Sequence, residues 1–141
     1  MQNKYIIGID GGASKTTGVL FDTRGNTIKY KLTLGTNLSV NEEVSASRVI
    51  NLINEIIDES NIHYDEISAI GVGLAGASNH TGRERLFGLL DNISLSDRTV
   101  ITNDVESVYE YIWGNKYFSG KSMGNRFGEN SMWEKSIYNI P

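Results

Sequence analysis

The chain opens with KYIIGIDGGASKTTG, residues 4–18, in which an apolar run leads into a carboxylate and two glycines. Residues 5–9 are typical of a strand, residues 16–21 of a second strand, and residues 10–15 of the turn between them. The glycines would let the backbone approach a ligand closely, and the N–H groups could line an anion-binding nest. A carboxylate repels phosphate unless a cation lies between them, so Asp10 fits a direct or water-mediated partner of Mg²⁺. An ordinary two-glycine hairpin with Lys and Thr at its surface fits the same spacing.

Two common nucleotide-binding motifs do not fit this loop. A Walker A loop needs Gly-Lys followed by Ser or Thr at the start of a helix, whereas here Lys15 follows Ser14 and a strand comes next. A Rossmann fingerprint needs G-x-G-x-x-G and a following helix, and neither is present at this position. Both motifs are therefore excluded for the opening loop.

The next segments predict a third strand and a long helix. Turn residues at 22–26 precede a β-rich run over 27–34. Apolar residues at helical spacing then predict an amphipathic helix over 41–60. Ser39 and Glu42 have the spacing of a capping box at its start. The chain thus opens as a meander of three strands before its first helix.

Two strand–helix units follow. The first is an apolar strand over 67–74 with a helix over 83–90, and the second is a strand over 98–102 with a helix that begins at Asp104. Strands that return through helices run parallel to one another. The prediction is therefore an α/β domain with a mixed five-stranded sheet and the order βββαβαβα, which resembles ribonuclease H.

Composition narrows the function. A length of 141 residues suits one domain of ordinary size. The net charge of −4, with scattered basic residues, argues against nucleic-acid binding. The sequence has no cysteine, which excludes disulfides, thiolate chemistry and cysteine-held metal clusters in these residues. No leader pattern and no membrane-length apolar run is seen, so a cytoplasmic protein without membrane association is expected.

Four pieces of the sequence carry a resemblance to a known family. IGIDGGASKTTGVLFD, residues 7–22, resembles the first phosphate loop of the sugar kinase, Hsp70 and actin superfamily. Within it, the chain is most similar to the N-acetylglucosamine kinase and BadF/BadG/BcrA/BcrD ATPase family. Three further pieces agree in order and approximate spacing: Gly35-Thr-Asn37, GVGLAGA at 71–77 and Thr102-Asn-Asp104. The resemblance covers residues 4 to about 113 and implies an actin-like ATPase lobe.

The family implies an ATP- and Mg²⁺-dependent sugar kinase and a role for each matching residue. Asp10 would organise Mg²⁺, and the β- and γ-phosphates of ATP would be held by Gly11, Gly12, Ser14, Lys15 and Thr16. Asp104 is the predicted catalytic residue, a carboxylate that orients the sugar hydroxyl and accepts its proton. Asn37 and Gly76, together with Asp104, are predicted to contact an amino sugar.

Each of these residues also has a structural interpretation. Asp104 stands where a helix N-cap is expected, and a cap at a strand's carboxyl end can serve both roles. Asn37 is equally an ordinary turn residue. Gly73 and Gly76 fit close packing of sheet and helix as well as close approach of a substrate. The two histidines have no partner at ligand spacing and are interpreted as surface residues: His63 and His80.

The domain prediction is an actin-like lobe over 1–113 and a divergent or truncated tail over 114–141. Members of the family carry a second lobe, so the chain is expected to be one lobe that pairs with a missing lobe or forms a homodimer. One branch of the family activates dehydratases by electron transfer from an iron–sulfur cluster, and the absence of cysteine disfavours that alternative. The other alternative is a non-catalytic remnant that binds a nucleotide or a sugar. The particular sugar is not specified.

Overall fold

The computed structural model describes residues 4–103 of the chain. This range forms five strands, two α-helices and two single-turn 3₁₀ helices at 64–66 and 96–98. In chain order the strands and α-helices are β1 (Tyr5–Gly11), β2 (Lys15–Asp22), β3 (Thr27–Leu34), α1 (Glu42–Glu59), β4 (Ile67–Leu74), α2 (His80–Asn92) and β5 (Thr99–Thr102). The order βββαβαβ agrees with the prediction. The final predicted helix, from Asp104 onward, lies outside the described residues.

The five strands form one mixed sheet with the order β3-β2-β1-β4-β5. β2 is antiparallel to β1 and to β3, whereas β4 is parallel to β1 and to β5. α1 and α2 are the crossovers that return the chain for the parallel pairs. The predicted mixed five-stranded α/β sheet is therefore confirmed.

The core lies between the sheet and the two helices. β1 and β4 occupy the middle of the sheet, and residues 6–9 and 69–74 are all buried. A strand that is buried on both faces reads as a continuous apolar run, which explains why these two segments lack alternation. α1 and α2 pack against each other and share one core with apolar side chains of the sheet: Ile7, Ile9, Leu20, Ile70 and Val72.

Most element boundaries match the sequence pattern closely, and the largest differences are at α2 and at the end of β1. β3 and β4 have the predicted ends, and α1 differs by one residue at each end. α2 begins at His80, three residues earlier than predicted, because the Asn79 side chain caps it by accepting hydrogen bonds from the N–H groups of Thr81 at 3.0 Å and Gly82 at 3.3 Å. The first turn of α2 carries no apolar side chain, so hydrophobic periodicity could not detect it.

The capping box predicted from Ser39 and Glu42 is wrong. Asn41 is the residue before the first helical residue of α1, and its side chain makes no capping hydrogen bond. Ser39 lies instead in a turn, where its N–H donates to Oδ1 of Asn37 at 2.9 Å. Because Ser39 belongs to this turn, α1 begins at Glu42, two residues later than a capping box at Ser39 requires.

Edge strand β3 is amphipathic, with its two faces in different environments. Lys29 and Lys31 point toward α1, where their ammonium groups lie 3.2 Å and 2.7 Å from the carboxylate of Glu59. Lys31 also lies 3.8 Å from the carboxylate of Glu55. The alternate side chains face away from the helices and are exposed apolar groups: Ile28, Tyr30, Leu32 and Leu34. Ion pairs therefore connect β3 to α1.

Glu59→Gln should remove part of the acid dependence of the protein's stability. The hydrogen bond from Lys31 is the main reason that the pKa of Glu59 lies below its usual range, and the bond from Lys29 adds to it. A depressed pKa contributes stability that is present above the ordinary pKa of glutamate and is lost as the pH falls through the lowered value. Because both side chains are partly exposed, we expect a small effect.

Urea midpoints of the wild type and Glu59→Gln, measured from about pH 7 down to about pH 2.5, check this prediction. The advantage of the wild type should shrink toward the acid end. Glu55→Gln is the matched control, with a smaller expected change, because its carboxylate is 3.8 Å from Lys31 rather than within hydrogen-bond distance. An advantage that stays constant over the whole range would contradict the prediction.

Candidate functional site

The glycine hairpin is tighter than the sequence predicts. β1 and β2 stay paired up to Gly11 and Thr16, so the turn contains only residues 12–14 rather than 10–15. The N–H of Gly12 donates to the carbonyl of Lys15 at 2.9 Å and closes the hairpin. Asp10 is therefore a strand residue, paired with Thr17, and the predicted turn is corrected at both ends. The strand pairing continues to Gly11 because glycine has no side chain. A side chain at this position would clash with Thr36 and Leu74.

Gly11 and Gly12 differ in the space around their Cβ positions. A Cβ on Gly11 would lie 2.2 Å from the hydroxyl oxygen of Thr36 and 2.3 Å from a methyl carbon of Leu74. A Cβ on Gly12 would meet only the carbonyl of Lys15, at an ordinary 3.6 Å. Gly11 is thus required by packing, whereas Gly12 leaves open space beside the backbone. Ser14 and Lys15 are exposed at the tip of the hairpin.

Asp10 stands in a row of residues at the carboxyl ends of the parallel strands. It pairs with Gly73 of β4, and Gly73 pairs in turn with Thr102 of β5. Side chains alternate along a strand, and because Ile9 faces the helices, half-buried Asp10 faces the other side of the sheet. Two strand spacings put Asp10 and Thr102 roughly 10 Å apart. Asp104, two residues beyond Thr102, lies outside the described residues.

The loop after β3 is bound directly to the hairpin. The N–H of Thr36 donates to the carbonyl of Gly12 at 3.0 Å, and the hydroxyl oxygens of Thr16 and Thr36 lie 2.9 Å apart. Both side chains are buried, with exposures of 0% and 2%. A Cβ on Gly35 would lie 2.0 Å from the carbonyl oxygen of Ala13, so the two backbones are in close contact. The hydroxyl of Thr16 therefore belongs to a buried pair and not to the exposed tip.

The loop after β4 completes the site. The N–H of Ala75 donates to the carbonyl of Gly11 at 3.4 Å, and the carbonyl of Ala75 accepts from the N–H of Leu38 at 3.0 Å. Gly76 has φ of +77°, and a Cβ there would lie 2.5 Å from Oδ1 of Asn37. Glycine meets both demands, since it tolerates positive φ and has no side chain. Asn79 adds a bond from Nδ2 to the carbonyl of Leu38 at 3.1 Å.

Asn37 is held in a specific orientation. Its N–H donates to the Ser45 hydroxyl at 2.8 Å, and its side-chain Oδ1 accepts from the N–H of Ser39. One lone pair of the amide oxygen is thereby used, and the second remains available as an acceptor. Within residues 4–103 no partner is seen for its Nδ2. The half-buried Asn37 thus presents a donor at the site.

The structure therefore gathers the predicted residues at one edge of the sheet, with Asp104 outside the described part. Those at the edge are Asp10, Gly11, Gly12, Ser14, Lys15, Thr16, Asn37 and Gly76. Sequence reasoning gave no role to Thr36, although it lies inside the Gly-Thr-Asn piece, or to Arg48 on α1. Arg48 Nη1 donates to the carbonyl of Gly35 at 2.6 Å. No pattern in the sequence marks a helix arginine as a support for a distant loop.

Other features of the described residues lie away from this edge. His80 is 86% exposed, 3.8 Å from Glu84, and His63 is exposed, which confirms both as surface residues. A cavity of about 640 Å³ lies among the loops that precede β4 and β5, lined in part by Tyr64 and Arg98. It includes none of the predicted site residues and sits at the amino ends of these strands, whereas α/β sheets bind ligands at the carboxyl ends. No helix within residues 4–103 is long and apolar enough to cross a membrane.

The carboxyl edge of the mixed sheet thus carries a glycine hairpin, a carboxylate beside it and two supporting loops. The family model of the BadF/BadG/BcrA/BcrD ATPase family matches residues 7–112. The chain therefore belongs to this family, as its sequence pieces indicated.

Two comparisons describe its relatives. The chain is similar to an N-acetylmuramic acid/N-acetylglucosamine kinase of Clostridium acetobutylicum, with 32% identity over 111 residues, which are 73% of this chain and 34% of that protein. It spans about a third of the length of that relative. The solved structure of a putative N-acetylglucosamine kinase from Chromobacterium violaceum matches with a TM-score of 0.54 and 19% identity over 84% of this chain and 39% of that one. This second likeness concerns the fold alone.

Gly35→Ala should destabilise the protein by about 1–3 kcal/mol, because the added Cβ overlaps the backbone of Ala13 and forces the two loops apart. Gly88→Ala is the matched control, since Gly88 lies inside α2 with nothing within 4 Å of its Cβ position. That substitution should stabilise the protein by roughly 0.5–1 kcal/mol through helix propensity. Urea unfolding measures both free energies. Equal midpoints for Gly35→Ala and the wild type would contradict the close packing.

Proposed function

We propose that the chain is the phosphate-binding lobe of an ATP-dependent sugar kinase of the N-acetylglucosamine kinase type. The observation that carries the proposal is the direct attachment of the glycine hairpin to the Asn37 loop at one edge of the sheet. Thr36, which bonds to the hairpin, directly precedes Asn37 in the chain. Groups that suit phosphate therefore lie next to a group that suits a sugar hydroxyl. The activity named for the Clostridium acetobutylicum relative supports the same assignment.

The hairpin supplies donors for the phosphates of ATP. The N–H of Gly12 is used within the hairpin, so the donors would come from the backbone of Ala13 and Ser14 and from the exposed side chains of Ser14 and Lys15. The open space beside Gly12 would let a phosphate approach the backbone. Buried Thr16 would then act by shaping the hairpin.

Asp10 fits a magnesium ion that is shared with the nucleotide. The described residues contain no group of three or more His, Cys, Asp or Glu side chains that could hold a metal by themselves. Mg²⁺ commonly takes one or two carboxylates and completes its shell with water and phosphate oxygens, which suits a half-buried aspartate beside a phosphate loop. When bound, the ion would offset the negative charge of the phosphates. Asp10 would hold it directly or through water.

The sugar would lie against Asn37 and Gly76. The amide Nδ2 of Asn37 would donate to a sugar hydroxyl, and the bare backbone at Gly76 would let the ring approach closely. We assign Asp104 as the base that orients the attacking hydroxyl and accepts its proton. Thr102, two residues before Asp104 in the sequence, stands in the row of Asp10.

A second lobe would be needed to complete the active site. Phosphoryl transfer requires exclusion of water and alignment of the attacking oxygen, which such enzymes achieve by closing two lobes around the substrates. The chain spans about a third of its curated relative, so we propose that another segment or a partner chain supplies the adenosine side. We place the working protein in the cytoplasm, where ATP and amino sugars are available.

Asp10→Asn should abolish most of the effect of Mg²⁺ on nucleotide binding. Calorimetric titration of the 141-residue chain with ADP, with Mg²⁺ or with a chelator, checks this. Loss of one charge-assisted contact costs roughly 1.5–3 kcal/mol, which corresponds to at least about a tenfold loss of affinity for MgADP. Asp97→Asn, at an exposed carboxylate far from the hairpin, is the charge-matched control and should bind as the wild type does.

Sugar-dependent ADP release tests the kinase itself. The chain is incubated with ATP, Mg²⁺ and N-acetylglucosamine, N-acetylmuramic acid or glucose, beside Asp104→Asn. Release that depends on an amino sugar and is lost in the variant supports the kinase. Nucleotide binding without release favours the alternative of a non-catalytic binding lobe. A wild type that binds no nucleotide with Mg²⁺ present would overturn the proposal.

A further inference from the structure

We propose that Thr36 is a positioning residue that couples the nucleotide and sugar sites. It joins the phosphate hairpin (residues 11–15) to the sugar loop (residues 35–39), so that occupation of one changes the affinity of the other. The inference rests on the proposed function, because the two ligands are those assigned above. Its basis is the set of contacts that Thr36 makes with Gly12 and Thr16 of the hairpin.

Thr36 forms hydrogen bonds to the hairpin through both its backbone and its side chain. Its N–H donates to the carbonyl of Gly12 at 3.0 Å, and its hydroxyl lies 2.9 Å from that of Thr16. Thr16 is fully buried and Thr36 is 2% exposed, so the pair of hydroxyls is shielded from water. A buried hydroxyl that loses its only partner is costly, which favours one discrete arrangement of the two loops.

The other side of the sugar loop is fixed to α1. Arg48 Nη1 donates to the carbonyl of Gly35 at 2.6 Å, and the hydroxyl of Ser45 accepts from the N–H of Asn37 at 2.8 Å. Below the loop, Gly35 is in backbone contact with Ala13. The loop is therefore clamped between α1 and the hairpin, and it cannot shift without moving one of them. α1 belongs to the core, whereas Ala13, Ser14 and Lys15 at the tip of the hairpin are exposed, so the tip is the part that a ligand can displace most readily.

The proposed phosphate-binding and sugar-binding groups are both directly connected to Thr36. Asn37 follows Thr36 directly, and Gly12 is the acceptor of the Thr36 N–H. A phosphate bound by the backbone of Ala13 and Ser14 would shift the hairpin. Through the Gly12–Thr36 hydrogen bond, this shift would move Thr36 and reorient the peptide group of Asn37. The effect must be reciprocal, because the sugar changes the affinity for nucleotide by the same factor as the nucleotide changes the affinity for sugar.

Three variants separate positioning from a general loss of stability. Thr36→Val removes the hydroxyl at nearly constant volume, and Thr36→Ser keeps it. Thr99→Val is the matched control, because it removes another threonine hydroxyl bond, from Thr99 to the carbonyl of Leu95 at 2.8 Å, at the opposite end of the sheet. A purely structural role would make Thr36→Val and Thr99→Val behave alike.

The first readout is the affinity for MgADP with and without saturating N-acetylglucosamine, measured by calorimetry on the whole chain. We expect the sugar to change the wild-type dissociation constant by about fivefold or more. In Thr36→Val this factor should fall to about one while each ligand alone still binds. Thr36→Ser and Thr99→Val should keep the wild-type factor.

The second readout needs no ligand. Amide hydrogen exchange at residues 12–15 should be about tenfold faster in Thr36→Val than in the wild type, and Thr36→Ser should restore the wild-type rate. Thr99→Val should leave these amides unchanged. A wild type that binds both ligands without mutual influence, or a Thr36→Val protein with wild-type coupling and exchange, would overturn the inference alone. A wild type that binds neither ligand would overturn the proposed function and this inference with it.

Discussion

The register of β1 between its two neighbours is the constraint on which the rest of the described structure depends. β1 pairs antiparallel with β2 and parallel with β4, and it is buried on both faces. That register puts Asp10 opposite Thr17 on one side and Gly73 on the other. A slip of one residue would turn Asp10 toward the helices and Ile9 away from them, at a large cost in buried apolar area. Core packing thereby determines where the carboxylate stands.

Close backbone contacts bring the edge loops together. A Cβ at Gly11, Gly35 or Gly76 would lie within 2.5 Å of another group. Each brings one loop against the next, and hydrogen bonds from Thr36, Leu38 and Ala75 join the loops. Such close contacts leave little freedom for the loops to move independently. The hairpin and the loops that carry Asn37 and Gly76 thus form one assembly, which rests on the sheet and on α1.

Much of the fold follows from the sequence because its signals are local. The apolar runs of β1 and β4, the helical spacing of α1 and the turn at 22–26 are each recognisable within a short window, and the parallel direction of the later strands follows from the helical crossovers. The errors occurred where side chains act without hydrophobic periodicity. The start of α2 depends on the Asn79 cap, and the start of α1 depends on the turn made by Asn37.

The sequence by itself determined the α/β class and the family, since the glycine hairpin and the Gly-Thr-Asn piece are readable as short motifs, and it predicted residues that meet at the carboxyl edge of the sheet. Only the tertiary structure decided how these pieces meet. The buried pair of Thr16 and Thr36 joins residues twenty positions apart, and Arg48 supports Gly35 from a helix. Such contacts arise because folding brings distant backbone segments together, and they leave no periodic or local trace in the chain.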